Sequence, residues 1–284
     1  ESCLSEPYGD VWHYIGPLAY QCHPYRVPTI GTTPQHIADA TLEDIQAFYS
    51  MYYCPSNAVL TVSGNVQPVA VHALAEKWFG GIPSGQSNPT ALPVEPLQQE
   101  RRELDVMASV PLDALYMVFH SAGRLDPAYY IDDLITDVLA EGDSAWLYEH
   151  LVREQEIFSS VDAYLTGSVE KGLVVIEGKL GEGIDFEVAE RAVWKELEQL
   201  QAMPLSAQAL EKFLHCTEHN LEFEEINHLH KAINLGYYET LGDAHWVNGE
   251  KARYNAVTAA DIQGRSQALF QAQQCSVLRY HAKK

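Results

Sequence analysis

The residues with the clearest capacity for chemistry are His215-Cys216-Thr217-Glu218-His219. Two histidines four apart share one face of a helix, as two ligands of one metal ion must. Glu218 beside them could take a proton from a metal-bound water. This is the H-x-x-E-H spacing of an inverted metal-hydrolase helix.

The surrounding residues argue for a decoy. The apolar stripe of this helix is Leu210, Phe213, Leu214, Thr217 and Leu221. His215 and His219 instead share a column with Glu211 and Glu222, which reads as a solvated face with His–Glu pairs. A protein zinc site also needs a third ligand. After His219 the last glutamate is Glu250, and none follows it. His228 and His230, two apart, cannot share a helix face. No nucleophile elbow, phosphate-binding loop or dinucleotide fingerprint is present. The expected metal ligands in this chain are therefore none.

Helices must position these residues, and the pattern supplies them. Helices are expected over about Tyr8–Tyr20, Thr41–Tyr53, Pro68–Phe79, from Pro127, Trp146–Glu154, Phe186–Leu200, Ser206–Glu225, Asn227–Leu241 and Thr258–Leu269. Strands are expected over Asn57–Ser63, Glu103–Ala108, Leu115–His120, Val161–Thr166, Leu173–Leu180 and Cys275–Tyr280. Strands and helices are grouped rather than alternating, which predicts α+β with helices packed on a mixed, mostly antiparallel sheet. Pro83, Pro89, Pro93 and Pro96 mark 83–100 as a linker, so the expected domains are 1–82 and 101–284. The competing reading of that stretch is a long surface loop within one domain.

The chain carries an internal repeat. Thr41-Leu-Glu-Asp-Ile-Gln46 resembles Thr258-Ala-Ala-Asp-Ile-Gln263, each opening a helix that leads into an apolar strand. By analogy with the second copy, the first lacks on the order of 117 residues at its front. The first module is then truncated, and its strand and helices would expose apolar surface.

Composition bounds the function class. Apolar residues make up 46% and charged residues 20%, which is globular. No apolar run approaches the ~18 residues of a membrane span. The net charge of −21 disfavours nucleic acid and anionic membranes and favours basic peptides weakly. Five cysteines, odd in number and widely spaced without C-x-x-C, lean to a reducing, cytoplasmic compartment.

Several segments together resemble the pitrilysin/insulinase family of zinc metallopeptidases. They are Tyr20-Gln-Cys-His-Pro-Tyr-Arg26, Pro28-Thr-Ile-Gly31, Asp44-Ile-Gln-Ala-Phe-Tyr49, Tyr52-Tyr-Cys-Pro-Ser-Asn57 and Val59-Leu-Thr-Val-Ser-Gly-Asn65. Beyond the linker, Leu147-Tyr-Glu-His-Leu-Val-Arg-Glu154, Gly172-Leu-Val-Val-Ile176 and Leu235-Gly-Tyr-Tyr-Glu239 resemble the family's non-catalytic partner module. The resemblance implies duplicated α+β modules, working in two pairs that close around a peptide. The peptide adds to a sheet edge. It also implies zinc, held by two His of H-x-x-E-H and a later Glu.

On this resemblance the zinc helix belongs to the front of the first module, ahead of Glu1, and His215–His219 falls where the family places no metal. The chain is expected to be part of a zinc metalloendopeptidase, inert by itself and without bound zinc. Its expected partners are a peptide substrate and a second module pair, in a homodimer or heterodimer. Two other readings are a non-catalytic core-type assembly subunit of the family and a peptide-binding scaffold. One residue carries over: Arg153-Glu154-Gln155 matches the start of a family motif that contacts peptide, although Ser159 stands at its Tyr position. The competing role for Arg153 is a surface ion pair with Glu149 or Glu156.

Overall fold

The computed structural model describes residues 6–85, 91–142 and 144–283. Cys3, Ser87 and Pro89 lie outside them. The chain divides into two compact units. The first comprises Glu1–Thr29, Pro93–Cys216 and Ala252–Lys284; the second comprises Ile30–Leu92 and Thr217–Lys251. These packing units cut across the sequence division at 82 and 101.

The first unit is built on five strands: β1 (Arg102–Ala108), β2 (Ala114–His120), β3 (Phe158–Leu165), β4 (Leu173–Leu180) and β5 (Ser276–Ala282), in the order β1-β5-β2-β4-β3. Only the β1–β5 pair is parallel. The sheet is therefore mixed and mostly antiparallel, as the grouped elements predict. Central β2 is buried on both faces through Phe119, so both faces must be covered.

Helix α1 (Val11–Ala19) covers one face. Its Val11, Ile15 and Ala19 pack with Tyr116, Val118, Val175 and Leu278. Arg102 Nη1 donates to the Leu18 and Ala19 carbonyls at the end of α1, at 2.9 and 2.7 Å. This satisfies oxygens that a helix C-terminus leaves unpaired. On the other face, Phe119 meets Phe270 and Trp194 edge-on, with ring centroids 5.0 and 5.8 Å apart. These rings belong to the layer of α5 (Ala128–Ala140), α6 (Phe186–Ala202) and the later helix over Ala259–Leu269.

The proline-rich stretch is tied down at its C-terminal end. Glu95 is buried, and its carboxylate accepts the backbone N–H groups of Gln21, Cys22 and His23 at 2.7, 3.0 and 2.9 Å. Burial alone would push this carboxyl up; the three N–H donors outweigh it and hold Glu95 at about 2. Gln98, also buried, donates to the Cys275 carbonyl at 3.1 Å.

The second unit holds α2 (Gln35–Asp39), α3 (Leu42–Tyr52), α4 (Pro68–Phe79) and α8 (His228–Leu241). Neither α2 nor α9 (Glu250–Asn255) is predicted by the sequence pattern. Between them in the chain, α7 (Ala207–Glu224) contributes residues to both units. The segment 57–63, expected as a strand, is not paired as one. A strand exists through the ladder it shares with a neighbour, and among the described residues this segment has none. One side-chain bond ties it to α8, from Thr61 Oγ1 to the Ala232 carbonyl at 2.8 Å.

No described helix is long and apolar enough to cross a membrane. The four described cysteines are free thiols.

Candidate functional site

His215, Glu218 and His219 lie on α7 as predicted. The ring of His219 packs on Phe223 at 4.2 Å between centroids. Lys251 Nζ pairs with the Glu218 carboxylate and with Glu222 Oε1, the latter at 2.9 Å. A carboxylate neutralised by lysine is not free to accept a proton from a metal-bound water. Among the described residues, no three His, Cys, Asp or Glu side chains are placed to hold one metal ion.

Arg153 lies where the sequence predicts a helix, but the local structure differs. Tyr148–Glu154 forms a π-helical segment, a rare, wider coil that is frequent at functional sites. Leu147 and Leu151 anchor it by full burial. His150 Nδ1 meets Glu196 Oε2 of α6 at 2.6 Å. Glu156 then takes a left-handed backbone, φ 52°, and turns the chain into edge strand β3. Sequence periodicity misses the π-turn because one inserted residue shifts the apolar stripe by less than a turn.

With the segment anchored, Arg153 is displayed outward. Its Nη1 pairs with Glu149 Oε2 at 2.7 Å, and its side chain remains 58% exposed. Such an exposed pair contributes little to stability. Ser159, at the family's Tyr position, sits in a register shift between Phe158 and Ser160, where the β3–β4 pairing skips a residue. A β-bulge re-aims side chains and loosens the ladder. Ser159 Oγ donates to the Lys179 carbonyl at 3.2 Å. Gly178 makes room for this kink, since a Cβ there would lie 2.4 Å from the Phe158 ring.

Beside the bulge is a cavity of about 400 Å³ lined by Tyr148, Ser160, Asp162, Glu177 and Lys179. Asp162 faces Glu177 across the ladder. Burial pushes the Glu177 carboxyl up; Lys179 opposes that and Asp162 adds to it. Asp162 Oδ1 also accepts the Ala163 N–H at 2.8 Å, capping one backbone donor of the edge strand. The arrangement combines an edge strand, a displayed cation and an acidic-walled cavity. An extended peptide could add to the edge, place a carbonyl on Arg153 and a basic side chain near Asp162.

The opposite edge is closed by charge. Arg101 grips Glu190 at 2.6 and 2.9 Å, and Arg279 Nη1 pairs with Glu103 at 2.8 Å. Charged pairs that gather at the start of β1, from Arg101, Glu103, α6 and β5, discourage strand addition there.

Residues 39–215 match the family described as peptidase M16 inactive domain. The chain belongs to that family. This is the pitrilysin/insulinase-type membership that the sequence segments predict. The M16 inactive-domain chain is 24% identical over 213 residues to the zinc protease PqqE of Helicobacter pylori. That match takes in 73% of the chain and 47% of the relative, so the chain spans about half the length of that curated protein.

Solved structures share its fold. A protease from Helicobacter pylori superposes with a TM-score of 0.88 at 21% identity, over 97% of this chain and 67% of that one. A peptidase M16 inactive domain from Pseudomonas fluorescens gives 0.85 at 14%, over 100% and 67%. A chain of complex III from Candida albicans gives 0.84 at 15%, over 98% and 68%.

Proposed function

We propose that this chain is part of a zinc-dependent metalloendopeptidase and supplies the non-catalytic partner module, 101–284, to a metal-bearing module to which 1–82 belongs. The zinc ligands lie outside these residues. The module's task is to hold peptide, and Arg153 is the residue that contacts it. The observation that supports this reading is the anchored π-turn, which leaves the Arg153 side chain 58% exposed on the segment that leads into the bulged start of edge strand β3. A guanidinium there can donate to a peptide carbonyl or face negative charge developing during cleavage.

The test is Arg153→Ala in the complete zinc-loaded protein. Peptide cleavage should fall by at least tenfold in kcat/KM with thermal stability unchanged, and Arg153→Lys should restore part of it. Equal kcat/KM in Arg153→Ala and the parent protein rejects the role.

A second reading is favoured by the fold shared with a complex III chain: a non-catalytic core-type subunit. The complete protein would then show no peptidase activity with zinc supplied and would co-purify with a stoichiometric partner.

A further inference from the structure

The coil that carries Arg153 changes its winding at His150. The chain enters in α spacing, with the Glu149 N–H on the Ala145 carbonyl at 2.9 Å. It then widens. The Gln155 N–H reaches five residues back to the His150 carbonyl at 3.1 Å, and the Ile157 N–H reaches six back to the Leu151 carbonyl at 2.9 Å. A rare backbone form of this kind persists where the surroundings over-determine it.

His150 ties the coil down twice. Its carbonyl closes the π-turn, and its ring Nδ1 meets Glu196 Oε2 of α6 at 2.6 Å. The Glu196 side chain is 2% exposed, against 26% for His150. A carboxylate taken so far out of water needs a partner, and among the described residues that partner is His150. Glu196 is itself a fixed point. It shares a face of α6 with Val193, Leu197 and Leu200, each at most 1% exposed. Trp146 lies over the His150 ring, 6.5 Å between centroids and 29° between planes, and restricts its orientation.

Arg153 adds no tether of this kind. Its ion pair is with Glu149 on the same coil, so the two move together when the coil rewinds. An α-helical winding would send the Gln155 N–H to Leu151 instead of His150 and turn Arg153 to another side of the axis.

We infer that His150 and Glu196 are positioning residues for Arg153. The buried pair locks Tyr148–Glu154 in the π form and so fixes where the guanidinium is presented. The inference rests on the reading of Arg153 as a peptide contact and goes beyond it, because neither His150 nor Glu196 touches the peptide.

The test is a double-mutant cycle in the complete zinc-loaded protein. His150→Ala should lower kcat/KM for a peptide by at least about tenfold. Combined with Arg153→Ala it should add less than about twofold, because a misplaced guanidinium and a missing one are equivalent. His150→Asn, whose Nδ2 can stand where the ring Nδ1 stands, should recover most of the rate. Glu196→Met removes the bond without leaving a buried charge unpaired and should show the same loss as His150→Ala. Hydrogen exchange reads the turn itself: the Gln155 amide should exchange at least about tenfold faster in His150→Ala and Glu196→Met than in His150→Asn. If His150→Ala and Glu196→Met keep the parent kcat/KM while Arg153→Ala loses it, the inference is overturned and the role of Arg153 stands. Equal losses with and without Arg153→Ala also overturn it, because the pair then acts on the fold as a whole. An unchanged kcat/KM in Arg153→Ala rejects both readings, since the pair then has nothing to place.

Discussion

Arg265 clasps Asp132 with both ends of its guanidinium, Nε to Oδ1 at 2.6 Å and Nη2 to Oδ2 at 2.8 Å, and Asp132 is fully buried. The same carboxylate accepts the Ala122 N–H at 2.8 Å. One charge pair thereby joins α10 (Ala259–Leu269), α5 and the turn after β2. Arg265→Ala leaves a buried carboxylate without its counter-ion and should destabilise the protein by about 3–5 kcal/mol. Urea unfolding that shows a loss under about 1 kcal/mol would contradict this account.

His120 is pushed down to about 4 by burial first of all; Glu95 opposes this, and Arg102 and Lys171 add to it. In the unfolded chain a histidine titrates near ~6.5. Below that pH the unfolded state binds a proton that the folded state refuses. Stability is therefore full above ~6.5 and declines as the pH falls towards about 4. Thermal melts of His120→Phe should lose most of the slope in that window; an unchanged slope would assign it to another group.

Glu95 acts in a lower window. Its folded value of about 2 lies below the ~4.3 of an unfolded glutamate. Its contribution is present above ~4.3 and is lost as the pH falls through about 2. Glu95→Gln keeps the shape but weakens three charge-assisted bonds and should cost roughly 1.5–3 kcal/mol at pH 7. The difference from the parent should shrink at pH 3, measured by guanidinium unfolding.

Zinc should not be retained by this chain. After incubation with zinc and dialysis, elemental analysis should find well under one ion per chain, and His215→Ala should not change the value. About one ion per chain, lost on that substitution, would restore the H-x-x-E-H group as a metal site.

Gly178→Ala should be costly for its size. The added methyl meets the Phe158 ring at the bulge, and overpacking of that kind costs roughly 1–3 kcal/mol. Calorimetry should show a lowered Tm for Gly178→Ala beside a raised Tm for Gly264→Ala, where an added Cβ meets nothing within 4 Å and alanine suits the helix interior better than glycine.

Local order was legible in the sequence wherever a short stretch determines its own structure. The helices that open at Thr41 and Thr258, the helix from Phe186 and the apolar runs of β2 and β4 are all local, because a helix start and an apolar run are each specified within a few residues. Family membership was legible too, because segments such as 20–31 and 147–154 keep their order and spacing.

Tertiary structure decided what depends on distant groups. The segment 57–63 has the apolar run of a strand and is not one here, because its ladder requires neighbours that periodicity cannot supply. The π-turn that displays Arg153 depends on His150 reaching Glu196, 46 positions away. Glu95 sits in a proline-rich stretch that composition marks as a linker, yet it is buried because three N–H groups more than 70 positions back converge on it. Hydrogen-bond partners at that separation have no signature in composition or period, so only the folded chain reveals them.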